Sequence, residues 1–209
     1  MYIPQHFRED RPDVLKAAIS DIRFAALVTP TADRIEVTHV PMVLREGEGT
    51  LTLECHLARA NPHWKAVEDG VRSVAIFQGP HAYVSPSWYP SKTEHGKVVP
   101  TWVYIAVHAH GTLQAVHDDG WLRSHLDALT TANEASRPEP WQVTDAPETY
   151  IGTMSRGIVG VRLTVETLEG SWKLNQHKPE MDRAGTIDGL DGAGDAGRSL
   201  ATALRARLD

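Results

Sequence analysis

Cysteine is nearly absent, with Cys55 standing alone among 209 residues. One thiol can build neither an internal disulfide framework nor a multi-cysteine metal centre. Long apolar runs are missing too, since no stretch approaches the roughly 18 consecutive apolar residues that a membrane span requires. Met1-Tyr2-Ile3-Pro4-Gln5-His6 lacks a basic and apolar leader, so the expected location is the cytoplasm. Basic charge is in deficit, because 21 Lys and Arg face 27 Asp and Glu and leave a net charge of −6. That balance disfavours broad attraction to nucleic acid, whose affinity comes largely from cations neutralising phosphates. There is no helix-turn-helix signature, no basic recognition helix and no internal repeat. Gly192-Ala193-Gly194 follows no strand and forms no GxGxxG pattern, which leaves a dinucleotide-binding fold unsupported.

What is present is a hydrophobic fraction of 41%, enough to bury a real core in a chain of this length. Val14, Leu15, Ala18, Ile19 and Ile22 recur at helical spacing over Pro12–Ile22. Strands are expected at Phe24–Thr29, Ile35–Leu44 and Thr50–His56, the last two joined by a turn at Glu46–Gly49. Further strands are read at Val71–Gln78, Ala82–Val84, Val98–Val116 and Ile158–Leu168, with helices at Pro62–Glu68 and Asp118–Thr131. Ser85–Lys92, rich in aromatics and prolines, reads as a covering loop. Many strands with few helices indicate a mainly β protein, a barrel core with helical additions over residues 1–190. In the tail, 191–209, the glycine-rich Asp188–Asp195 stretch reads as a flexible linker, and Leu200, Leu204 and Leu208 allow a closing helix.

The clearest chemical feature is the run Ala58-Arg59-Ala60-Asn61-Pro62 after a strand. Asn61 suits a helix N-cap and Pro62 the first helical position, while Arg59 places a fixed cation beside them. Exposed amides and a guanidinium together favour an anion such as a phosphate. Trp102, Tyr104, Ala106, His108 and His110 share one strand face. His108 and His110 could share a metal, with His81, His95 and His117 elsewhere, but no spacing closes a site and none is expected. Cys55 and His56 point to opposite faces of their strand and cannot easily share a proton. Ser85 and Ser87 lack a defined histidine and carboxylate partner, so a serine hydrolase is not indicated.

Several longer motifs occur in order: Met1-Tyr2-Ile3-Pro4 with His6-Phe7, His56-Leu57-Ala58-Arg59-Ala60-Asn61-Pro62, the run from Phe77 to Tyr89, Val99-Pro100-Thr101-Trp102, and Trp172-Lys173-Leu174. Together they resemble the PaiB family of FMN-binding negative transcriptional regulators over residues 1 to about 190. The resemblance implies an FMN-binding split barrel of the pyridoxamine-phosphate-oxidase-like kind, working as a homodimer with FMN at the subunit interface. On that expectation the turn from Ala58 through Arg59 to Asn61 holds the phosphate, and His56 bonds the ribityl chain or the phosphate. Trp102 and Tyr104, with Trp88 as another candidate, wall the ring, while Lys173 and Gln176 donate from the second subunit. The chain departs from the family pattern at Val103, where Asn is usual, and at Asn175 and His177, where Ser and Asn are usual. If Val103 faces the cofactor, one polar contact worth about 1 kcal/mol is lost. A flavin-dependent oxidoreductase is the competing expectation, and a haem-binding split barrel a weaker one resting on fold analogy.

Overall fold

The computed structural model describes residues 1–47 and 49–208. Glu48, within the expected Glu46–Gly49 turn, lies outside the described residues. In chain order the elements are β1 (Arg8–Glu9), α1 (Pro12–Ile22), β2 (Phe24–Pro30), β3 (Ile35–Pro41), β4 (Val43–Gly47) and β5 (Thr50–Ala58). Then come α2 (His63–Ala66), β6 (Val71–Val84), α3 (Ser91–His95), β7 (Thr101–Val116) and α4 (Asp119–Glu134). The chain finishes with α5 (Glu148–Ser155), β8 (Ile158–Lys173), α6 (Glu180–Asp191) and α7 (Gly194–Arg205). Among the described residues no helix is long and apolar enough to cross a membrane.

The chain forms two compact units, one of Met1–Ala18, Gln78–Val107 and Glu169–Asp209, the other of Ile19–Phe77 and His108–Leu168. The second holds β2 to β5 with residues 71–77 of β6, 108–116 of β7 and 158–168 of β8, in an antiparallel sheet of order β3-β2-β6-β7-β8-β5-β4. Its registers include Leu27 with Thr38, Leu27 with Ala75, Leu44 with Leu53, and Cys55 with Val161. Side-chain alternation explains which face is buried: Leu53, Cys55 and Leu57 of β5 all point into the core, as do Val161 and Leu163 of β8. Burial pushes the Cys55 thiol up to about 12, so it is a small apolar core residue. At Gly111 the backbones of β7 and β8 approach closely, since a Cβ there would lie 1.9 Å from the Thr164 carbonyl oxygen.

In the first unit, β1 pairs with β8 through Arg8–Ser171 and Glu9–Gly170. Val103 is fully buried, while Trp102 and Tyr104 occupy the opposite face of β7. The valine therefore serves the core, and its polar counterpart is not missed on the aromatic face. Helices α6 and α7 pack together and bury Leu190, Leu200, Ala201 and Leu204, with Arg205 bonded to Asp191.

Four local expectations change, and one is the strand expected over Ile35–Leu44, which divides at Met42 into β3 and β4 at the two ends of the sheet order. The Asp188–Asp195 stretch is helix except at Gly192–Ala193, and its Gly189 serves packing. A Cβ at Gly185 would lie 1.9 Å from the Trp88 carbonyl oxygen and one at Gly189 2.2 Å from the Trp88 ring, so the covering loop docks on α6. Strand β6 runs unbroken through Gly79-Pro80, whose fixed φ is compatible with extended backbone. The helix expected over Pro62–Glu68 is a single turn, His63–Ala66.

Candidate functional site

Strand β5 delivers the Ala58–Asn61 turn. The Arg59 amide donates to the Gly157 carbonyl at 2.8 Å, and the Asn61 amide to the Ala58 carbonyl at 2.8 Å. Asn61 Oδ1 accepts from the His63 amide at 3.0 Å, and Asn61 Nδ2 donates to Thr38 Oγ1 at 3.1 Å. This is an Asx turn rather than the cap of a long helix. His63, the first residue of α2, is fully buried and held at Nδ1 by Thr38 (2.9 Å) and at Nε2 by Thr29 (2.8 Å). Burial pushes its pKa down, against a smaller opposing effect of Glu36. A four-residue helix brings little dipole, so an anion here would be held by the turn and by Arg59.

The exposed Arg59 side chain reaches toward the start of β8. Nε donates to the Arg156 carbonyl at 2.8 Å and Nη2 to the Ile158 carbonyl at 3.0 Å, while Nη1 has no partner among the described residues. The Ala60 amide likewise has no acceptor among them. Arg59 also borders a cavity of about 410 Å³ whose other walls include Asp119, Leu122, Arg156 and Gly160. The donors left over, one guanidinium edge and one exposed amide, suit the acceptor-only oxygens of a phosphate.

His56, half-buried on the face of β5 beneath α4, brings its Nδ1 to 3.0 Å from His125 Nε2. The ring of Trp121 stacks on His125 with centroids 5.4 Å apart and planes at 8°, and its indole N–H donates to Glu54 at 3.1 Å. Gly160 makes room for it, since a Cβ there would lie 2.1 Å from the Trp121 ring. Sequence reasoning missed His125 and Trp121. Their four-residue spacing on a helix was the available signal, whereas the pairing of His125 with His56 lies 69 residues away in sequence.

The other expected residues belong to the first unit. Trp102 is 55% exposed, with Tyr83 edge-on at 6.0 Å and His81 at 6.2 Å. The Lys173 ammonium lies 5.8 Å from the Tyr104 ring centre, so these two are brought together. Gln176 is engaged otherwise: Oε1 accepts from the Leu174 amide at 2.8 Å, and Nε2 donates to the carbonyls of His6 (2.8 Å) and Trp172 (2.6 Å). Its carboxamide braces the turn after β8 and has little left for a ligand. Asn175 takes φ 66°, a left-handed conformation that asparagine tolerates, and donates to the Tyr89 hydroxyl at 2.9 Å. His177 packs beside His6 and Phe7, and burial, ahead of its cationic neighbours, lowers its pKa. Both departures from the family pattern thus have local structural roles. Trp88 lies against α6, as described.

Comparison with known proteins gives a consistent result. The family model described as "Putative FMN-binding domain" matches residues 1–167. The protease synthase and sporulation protein PAI 2 of Bacillus subtilis is 30% identical over 91% of this chain and 89% of its own length. An uncharacterized protein of Emericella nidulans is 32% identical over 99% of this chain and 97% of its own. Among solved structures, the FAD and heme binding protein of Mycobacterium smegmatis superposes with a TM-score of 0.59 at 14% identity, covering 79% of this chain and 73% of that one. The flavocytochrome Anf3 of Azotobacter vinelandii gives 0.53 at 14%, covering 88% and 78%. At such identities the likeness concerns the fold, a mainly β split barrel with added helices. With its family model matched from the first residue to β8 and a relative alike along nine-tenths of its length, the chain belongs to the PaiB family of flavin-binding split-barrel proteins.

Proposed function

We propose that the protein binds FMN, with the phosphate on the Ala58–Asn61 turn. The observation that carries this reading is the pair of uncommitted donors there, Arg59 Nη1 and the exposed Ala60 amide. His56 adds a ring nitrogen two residues before Ala58. FMN is preferred over a neutral flavin because the residues left open are donors suited to a dianion. The protein works as a homodimer in which the partner subunit's Tyr104 and the partner subunit's Lys173 approach the ring. Tyr104 and Lys173 travel together because they are in contact. Trp102, flat and exposed, supplies another wall. Bound flavin would bring redox-active chemistry, while these residues orient it and neutralise its charge.

The use we propose is regulatory, the role that the family resemblance implies, with flavin occupancy as the signal. A net charge of −6 supports an effect on transcription that does not depend on strong direct DNA contact.

Titration of FMN and riboflavin against the wild type and Arg59→Ala tests the seat. Loss of one charge-assisted bond should weaken FMN by about tenfold or more and leave riboflavin almost unchanged. Equal losses for both ligands would remove Arg59 from the phosphate site. No flavin absorbance after reconstitution would end the cofactor reading. Anaerobic NADH or NADPH should leave a purely regulatory flavin oxidised, whereas rapid bleaching would favour an oxidoreductase.

A further inference from the structure

His125 has no exposed surface, yet among the described residues only one of its ring nitrogens has a partner. Nε2 meets His56 Nδ1 at 3.0 Å, while Nδ1 is buried and unpartnered among the described residues. One hydrogen bond between two neutral imidazoles needs one N–H and one lone pair, so the proton can sit on either side. If His56 donated from Nδ1, the remaining proton of His125 would occupy its own Nδ1, a buried N–H with no acceptor. Orphaned buried N–H groups are among the rarest features of folded proteins, and an unused lone pair is better tolerated. The donor is therefore His125 Nε2, which leaves His56 with its lone pair on Nδ1 and its proton on Nε2.

We infer that His125 is a positioning residue that fixes His56 in the Nε2–H tautomer and so presents a neutral hydrogen-bond donor to an acceptor-only anion, the flavin phosphate. The assignment to flavin rests on the function proposed above; the tautomer does not. His56 is half-buried, and its Nε2 has no partner among the described residues, so that N–H is available.

The surroundings keep the pair neutral. Arg45 of β4 and Arg162 of β8 flank Glu54 of β5 at 3.5 and 3.6 Å, and the Arg162 guanidinium lies 5.3 Å from the Trp121 ring of α4. Burial, then His56 and Arg45, bring His125 down to about 4, and burial lowers His56 as well. A neutral imidazole could serve a phosphate equally well as an acceptor only if the phosphate were protonated, so the identity of the protonated nitrogen decides whether His56 helps or hinders.

Long-range nitrogen–proton correlation spectra of the full chain at pH 7.5, without flavin, read both tautomers directly. Protons on Nε2 of His125 and His56 are expected, and a proton on His125 Nδ1 would overturn the inference. FMN and riboflavin titrations then compare His125→Leu with His125→Gln, whose side-chain amide can donate from near the place of Nε2. The leucine variant should bind FMN roughly tenfold more weakly with riboflavin unchanged, and the glutamine variant should recover most of that loss. Wild-type FMN affinity in the leucine variant, or equal loss of both flavins, would overturn the positioning role. If the leucine variant fails to fold, the wild-type spectrum and the glutamine variant decide. A wild type that ignores FMN would sink the cofactor reading, and the spectrum would still judge the tautomer.

Discussion

A proton added to His125 would put a charge in a fully buried position between Trp121 and His56 and near Arg45. Because the folded value of about 4 lies below the ordinary 6.5, the unfolded chain binds the proton more readily. The stability from keeping His125 neutral is complete above about pH 6.5 and is lost as pH falls toward 4, with a ceiling of about 3 kcal/mol. Urea unfolding at pH 7.5, 5.5 and 4.5 should show the wild type losing stability faster than His125→Gln. Parallel losses would assign the acid sensitivity to other groups. Gln176 supports a different expectation, because its carboxamide holds Leu174, His6 and Trp172. Gln176→Ala should lower stability by about 1–3 kcal/mol with FMN and riboflavin affinities moving together. A selective loss of FMN would return it to the cofactor set.

Helix α4 is placed by the contact of Trp121 with Gly160. Gly160→Ala would drive a methyl into the ring and should cost about 1–3 kcal/mol by thermal or urea unfolding. The same substitution in a Trp121→Ala background should cost much less, and strict additivity would disprove the clash. At this scale the legibility of the chain depended on range. Strands such as β5 and β7 were readable because alternation is local, and the Ala58–Asn61 turn was readable because Asn and Pro have strong backbone preferences. Helix α6 was not, since Gly185 and Gly189 resemble linker residues until Trp88 is known to lie on them. Nor were the carbonyl partners of Arg59, 97 and 99 residues away, or the engagement of Gln176 with His6, 170 residues away. Such pairings arise only once the sheet has assembled.

For the whole molecule, the second unit exposes Phe24, Ile35 and Val37 on β2 and the edge strand β3, with Phe24 stacked on His39. Ile35, Val37 and His39 alternate onto one outer face. Apolar exposure at a sheet edge is a hazard unless it is covered, and a second copy would cover it. Sedimentation should show a dimer at micromolar concentration, and Val37→Lys should shift it toward monomer while preserving far-UV circular dichroism. A wild-type monomer would refute the dimer and with it the shared flavin site.

Cys55 lies in β5 between β4 and β8 with none of its surface accessible and its thiol held protonated. A thiol-reactive dye can therefore mark only molecules in which those strands have parted. The labelling rate counts such openings one by one, so the chain carries a built-in stopwatch for the fraying of its own centre, and a flavin that grips the end of β5 should make it run slow.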